Sequence, residues 1–126
     1  MTVRVLCIED EPDLREDLVE ELEFAGCIVS SAPDGLAGLQ LALQAPFDLI
    51  LCDVLLPGKP GLAVLQDLRA RTGPNQQTPL VFLTAFDDDE LADQCRQAGA
   101  AGHFMKPLDY SRIGKLIADF ATGKAR

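Results

Sequence analysis

Three kinds of side chain in this chain suit a charged, oxygen-rich group. They are the carboxylates of Glu9, Asp10 and Asp53, the hydroxyl of Thr84 and the ammonium of Lys106. Asp53 closes the apolar run Leu49-Ile50-Leu51-Cys52, and Pro57-Gly58 follows soon after. A continuous apolar run bounded by turn signals predicts a strand buried on both faces. Asp53 is then expected at the carboxyl end of a central parallel strand, where open α/β sheets hold their ligands. The run Val3–Ile8 ends at Glu9-Asp10-Glu11, Leu80–Leu83 ends at Thr84-Ala85, and Gly102–Met105 ends at Lys106-Pro107. Four strand ends far apart in sequence can therefore meet at one rim.

Clustered carboxylates repel one another and pay for desolvation, so a bound cation best explains them. Asp10 and Asp53, helped by Glu9 and the backbone carbonyl of Leu55, offer hard oxygen ligands. Mg²⁺ suits such an incomplete cage because it keeps several waters and accepts phosphate oxygens, with Mn²⁺ as the substitute ion. Lys106 adds a positive charge and Thr84 a short donor, which together describe a place for a phosphoryl group. Asp53 is the candidate nucleophile. The backbone N–H of the small residue Ala85 is the candidate partner for a phosphoryl oxygen. Each residue also has a plainer reading: Asp53 or Thr84 as a cap, Lys106 as a surface lysine, Glu9 or Glu11 as solvated acids.

The elements that must position these groups follow from hydrophobic period. A chain of 126 residues, 48% hydrophobic and 25% charged, is enough for one domain with its own core. Residues 1–122 read as that domain and 123–126 as a short tail or linker stub. Pro12 opens a helix whose Leu14, Leu18 and Leu22 recur at helical spacing until Gly26. Cys27-Ile28-Val29 starts a second strand, made more polar by Ser30 and Ser31, as an edge strand can be. Further helices are expected from Gly35 to Ala45, from Leu62 to about Arg71, from the acidic Asp87–Glu90 to Gly99, and around Ile113–Phe120. Five strands alternating with five helices predict a parallel sheet covered on both faces. Gly73–Thr78 reads as a polar connection.

A net charge of −9 disfavours a basic nucleic-acid-binding face. No stretch approaches the apolar length of a membrane span, and the N-terminus lacks a signal pattern. Cysteines at 7, 27, 52 and 95 include no close C-x-x-C pair, so they read as small buried hydrophobes in a cytoplasmic protein.

On Glu9-Asp10, Asp53 with Pro57 four residues on, Gly61, Thr84-Ala85 and Lys106-Pro107, the chain resembles the receiver domains of two-component response regulators over residues 3 to 121. The resemblance implies a flavodoxin-like (βα)5 fold with a doubly wound parallel sheet in the order 2-1-3-4-5. It implies that Asp53 accepts a phosphoryl group from a phosphohistidine on a sensor histidine kinase or phosphotransfer protein. Glu9 and Asp10 hold Mg²⁺, Thr84 contacts the phosphoryl oxygens and Lys106 pairs with them. Such a domain is no conventional enzyme, yet it catalyses its own phosphorylation and dephosphorylation. Positions Leu55 and Phe86 tune the phospho-state lifetime. Both are apolar and offer no side-chain hydrogen bond to an attacking water, which predicts slow to moderate autodephosphorylation. Output is expected through protein contacts at the face of the fourth helix, fifth strand and fifth helix, with transient homodimerisation through the same face as a further expectation.

Two positions depart from the family pattern. His103 stands where a Tyr or Phe usually turns inward as Thr84 moves. An imidazole can rotate too, but unpaired burial costs it more than Phe. A surface histidine at an interface and a pH-sensitive switch are the other readings. Lys59-Pro60 replaces a Met and an Asp or Asn in the loop after Asp53, where Pro60 stiffens the backbone and removes a donor. Three alternatives stay open: a scaffold of the same fold that is never phosphorylated, a receiver excised from a hybrid kinase or longer regulator, and a flavodoxin-like binding or enzyme domain. The last would need a phosphate-cradling loop after the first strand, and Glu9-Asp10-Glu11-Pro12 is acidic and glycine-free.

Overall fold

Residues 2–85 and 89–121 are described by a computed structural model. The strands are β1 (Arg4–Ile8), β2 (Ile28–Ala32), β3 (Leu49–Asp53), β4 (Leu80–Thr84) and β5 (Gly102–Met105). The helices are α1 (Pro12–Phe24), α2 (Gly35–Gln44), α3 (Gly61–Ala70), α4 (Asp89–Gln97) and α5 (Tyr110–Ala121). All four strand pairings are parallel, in the order β2-β1-β3-β4-β5. The expected alternation and sheet order are both present. Phe86, the acidic residues Asp87 and Asp88, and the tail 123–126 lie outside the described residues.

Boundaries move by a few residues where local chemistry competes. Cys27 precedes β2 rather than opening it, because its amide still closes the α1 terminus on the Leu22 carbonyl at 3.0 Å. β2 runs through both serines to Ala32, and the polar pair is tolerated because β2 is an edge strand. Asp34 caps α2, its carboxylate accepting from the Ala37 amide at 2.8 Å.

The alternation of a two-sided sheet divides the core. Leu6, Ile8, Ile50, Cys52, Leu80 and Phe82 face α2, α3 and α4, where they meet Leu39, Val64, Leu65 and Cys95. Val5, Cys7, Leu49, Leu51, Val81 and Leu83 face α1 and α5, where they meet Leu18, Leu22, Ile113 and Ile117. Every residue of β3 and β4 is buried, which is why those runs read as unbroken apolar stretches. Each fully buried Leu contributes about 2 kcal/mol relative to exposure. All four cysteines are buried free thiols. Burial pushes the Cys7 and Cys52 thiols far up, so they pack rather than react.

At the end of the sheet away from Asp53, Gly73–Thr78 is a built junction rather than a plain connection. Asn75 is 1% exposed. Its amide nitrogen donates to the carbonyls of Ala42 and Ala45, both at 2.6 Å. Its oxygen accepts from the Phe47 amide at 2.8 Å and from the Thr78 hydroxyl at 2.9 Å. Arg69 of α3 adds donors to the Gln76 carbonyl at 3.0 Å and the Thr78 carbonyl at 2.8 Å. One polar cluster thus ties the end of α2, the entry to β3 and the entry to β4 together.

Candidate functional site

The rim forms where β1, β3 and β4 end. Register pairs Ile8 with Cys52 and Asp53 with Leu83, so Glu9, Asp53 and Thr84 emerge within one residue of the same level. Thr84 pairs with Met105, and the Lys106 amide donates to the Thr84 carbonyl at 2.8 Å. Lys106 therefore begins at the same edge, two strands from Asp53, and its long stem reaches back across. The Lys106-Pro107 peptide is cis.

Lys106 Nζ donates to Asp53 Oδ2 at 2.8 Å and stands 2.7 Å from Glu9 Oε1. Asp53 is 6% exposed and Glu9 fully buried. Burial pulls the Lys106 ammonium down, but the Asp53 and Glu9 carboxylates outweigh it and hold it above its ordinary value. Burial pushes the Glu9 carboxyl up to about 7; Lys106 opposes the rise and the adjoining Asp53 carboxylate adds to it. Glu9 is tethered by its backbone and its other oxygen. Its amide donates to the Ala32 carbonyl at 3.0 Å, Oε2 accepts from the Glu11 amide at 3.2 Å, and its carbonyl accepts from Arg15 Nη1 at 2.8 Å.

Asp10 is exposed beside them, and one carboxylate oxygen from each of Glu9, Asp10 and Asp53 lies within 4.8 Å of the others. Glu9 Oε1 is buried without a directed hydrogen bond, despite the nearby ammonium. Three hard oxygens converging from a buried and an exposed side fit a small hard cation.

The loop after Asp53 is closely packed. Leu55 donates its amide to Asp53 Oδ1 at 3.2 Å and exposes its side chain. The Gly61 amide donates to the Val54 carbonyl at 2.9 Å. A Cβ on Gly61 would overlap the Asp53 carbonyl oxygen, and one on Gly35 would overlap the Lys59 carbonyl oxygen. Only glycine lets α3 and α2 approach the loop this closely. Lys59 also forms an ion pair with Asp67 of α3. The departure at Lys59-Pro60 is thus absorbed into the loop's own packing.

Ala85 is exposed just past Thr84. His103 is exposed on the α4 side of β5, and with Thr84, Phe82, Cys95 and Met105 it lines a cavity of about 440 Å³ between α4 and the sheet. The imidazole therefore sits at the mouth of a space adjoining Thr84 rather than in the core. Glu9, Asp10, Asp53 and Lys106 are brought together, Thr84 and Ala85 stand at the adjoining strand end, and Phe86 lies outside the described residues. Sequence reasoning missed Arg15. Its signal is a basic residue one turn into the helix that follows an acidic loop.

The site makes a pH prediction. Between about 4.5 and about 7 the unfolded chain has released the Glu9 proton while the folded chain keeps it. The metal-free fold therefore loses stability as pH rises through that window. A divalent cation that pairs with the carboxylate offsets the loss, so the rise in Tm on adding Mg²⁺ should be clear at about pH 8 and nearly absent at about pH 5. Equal rises at both would contradict the assignment.

A family model described as the response regulator receiver domain matches residues 5–118. The transcriptional activator protein IrlR of Burkholderia pseudomallei is 36% identical over 127 residues, covering 98% of this chain and 53% of that protein. The transcriptional regulatory protein HprR of Escherichia coli is 34% identical over 111 residues, covering 88% of this chain and 48% of its own length. The chain thus spans about half the length of these curated relatives. Among solved structures, the chemotaxis response regulator CheY4 of Vibrio cholerae superposes with a TM-score of 0.87 at 28% identity, covering 95% of this chain and 99% of that one. A response regulator protein from Burkholderia multivorans superposes with a TM-score of 0.79 at 35% identity, covering 96% of both chains.

Proposed function

The chain belongs to the response regulator receiver family, and from that premise we propose that Asp53 is its phosphoacceptor. The carrying observation is the Lys106 ammonium held between Glu9 and Asp53 at one strand-end rim. An Asp53 carboxylate oxygen attacks the phosphorus of a phosphohistidine on a sensor kinase or phosphotransfer protein. The P–N bond breaks, its electron pair stays on the imidazole, which takes up a proton, and an aspartyl phosphate remains. Lys106 neutralises the transferring oxygens, and Thr84 with the Ala85 amide supplies donors at the adjoining strand end. Glu9, Asp10, Asp53 and the Leu55 carbonyl would hold Mg²⁺, which supplies positive charge to the phosphoryl oxygens when bound. The complete set of pocket residues argues against an unphosphorylated scaffold.

The switched surface is assigned to α4, β5 and α5, which carry His103, Arg112 and Lys115, and it engages a downstream protein or, transiently, a second copy. The net charge of −9 supports protein contacts rather than nucleic acid as the output of this domain. The receiver reading implies a site of action in the cytoplasm; separately, no helix among the described residues is long and apolar enough to cross a membrane.

Intact mass tests the reading. Incubated with acetyl phosphate and Mg²⁺, the protein should gain one phosphoryl unit, and Asp53→Asn or omission of the metal should abolish the gain. No gain from acetyl phosphate or from a phosphorylated histidine donor would favour the scaffold. The exposed aliphatic Leu55 offers no hydrogen bond to an attacking water, so the phosphorylated state should outlast a few seconds. Leu55→Asn should shorten its half-life several-fold, short of the about 100-fold or more that a positioned acid or base supplies. An unchanged half-life would remove Leu55 from the account.

A further inference from the structure

We propose that Arg15 is a positioning residue for the cation site, an inference that rests on the receiver reading above. Arg15 lies on α1, one turn past the acidic loop, and is half-buried. Its Nη1 donates to the Glu9 carbonyl at 2.8 Å. The Glu9 amide is fixed from the other side by the Ala32 carbonyl at 3.0 Å. Glu9 is therefore held through both flanking peptides, the one from Ile8 by β2 and the one to Asp10 by α1. The peptide to Asp10 sets where the buried Glu9 carboxylate and the exposed Asp10 carboxylate point. With it in place, their oxygens and one from Asp53 lie within 4.8 Å of one another. Without the guanidinium, the Glu9 carbonyl loses its partner, and Asp10 gains the freedom to swing away from the rim.

The charge of Arg15 makes the proposal sharp. A cation near a cation site weakens metal binding by repulsion, so deleting it for its charge alone should tighten the site. Deleting it as the clamp of a ligand-bearing loop should loosen the site, as removal of outer-shell partners does elsewhere. The two accounts differ in sign.

The experiment is Mn²⁺ binding to the full unphosphorylated chain, read from the electron paramagnetic resonance signal of the free ion, on wild type, Arg15→Met, Arg15→Lys and Asp53→Asn. Arg15→Met keeps the length of the stem and removes both donor and charge; its affinity should fall about 10-fold. Arg15→Lys keeps one donor and the charge, and its affinity should stay within about 3-fold of wild type, since a single N–H suffices for a single carbonyl. A thermal melt of each metal-free protein shows that it is folded. If Arg15→Met does not fold, Arg15→Gln, with a shorter neutral donor, takes its place and should weaken binding by an intermediate factor. Wild type that binds beside an Arg15→Met that binds equally or more tightly overturns the inference alone. Wild type that binds no Mn²⁺ overturns the receiver reading together with the inference.

Discussion

The Lys106→Met protein is expected to take up a phosphoryl group from acetyl phosphate about 100-fold more slowly than wild type, the loss typical of removing one preorganised charge-stabilising donor. The ammonium sits 2.8 Å from Asp53 Oδ2 and 2.7 Å from Glu9 Oε1, so it already occupies the place where negative charge builds as the phosphoryl group arrives. Methionine keeps the length and flexibility of the stem and removes only the charge and the donors. The substitution also leaves two adjoining carboxylates without their shared cation. The metal-free variant should therefore be less stable than wild type at neutral pH, and Mg²⁺ should restore more stability to it than to wild type. A rate within about 3-fold of wild type would mean that the metal alone handles the charge, and that Lys106 serves the ground state only.

The second large effect lies far from the rim. Asn75→Ala is expected to cost about 3 kcal/mol, because it strands the carbonyls of Ala42 and Ala45 and the amide of Phe47 in a buried setting. In a domain of this size that lowers Tm by about 10 °C. Asn75→Asp is not a rescue, since an added oxygen would face the two carbonyls that the amide now satisfies. Below the melting transition the phosphorylation rate of Asn75→Ala should stay near that of wild type, because none of its partners touches the rim. Chemical denaturation measures the first effect and intact mass the second. A loss under about 1 kcal/mol would show that water replaces the side chain.

These two residues mark what a sequence can and cannot reveal here. Lys106 was legible because it ends a short apolar run, as Asp10, Asp53 and Thr84 end theirs, and in a parallel sheet all strand ends of one sense share an edge. β3 and β4 were legible because burial on both faces leaves no polar position in the run. Asn75 was not, since a polar residue between Pro74 and Gln76 has the composition of any loop; its partners at Ala42, Ala45 and Phe47 are fixed only by the fold. Arg15 was hidden for the same reason: its acceptor is a backbone carbonyl, which carries no residue type. The Lys59–Asp67 ion pair adds a third case, a loop departure whose compensation sits nearly two turns into α3. His103 shows the limit of analogy. The position is predicted by the family pattern, but the exposed imidazole at the mouth of the α4 cavity is a property of this chain's own packing.

The most direct test is to trap the acyl phosphate. The protein would be incubated with Mg²⁺ and a phosphodonor, reduced with borohydride, and mapped by peptide mass, since reduction of an aspartyl phosphate leaves homoserine at the modified position. The account predicts homoserine at residue 53 alone, absent when Mg²⁺ is chelated and reduced in step with phosphorylation in Lys106→Met. Homoserine at Asp10 or another aspartate, or none in a protein whose mass has risen by a phosphoryl unit, would contradict it.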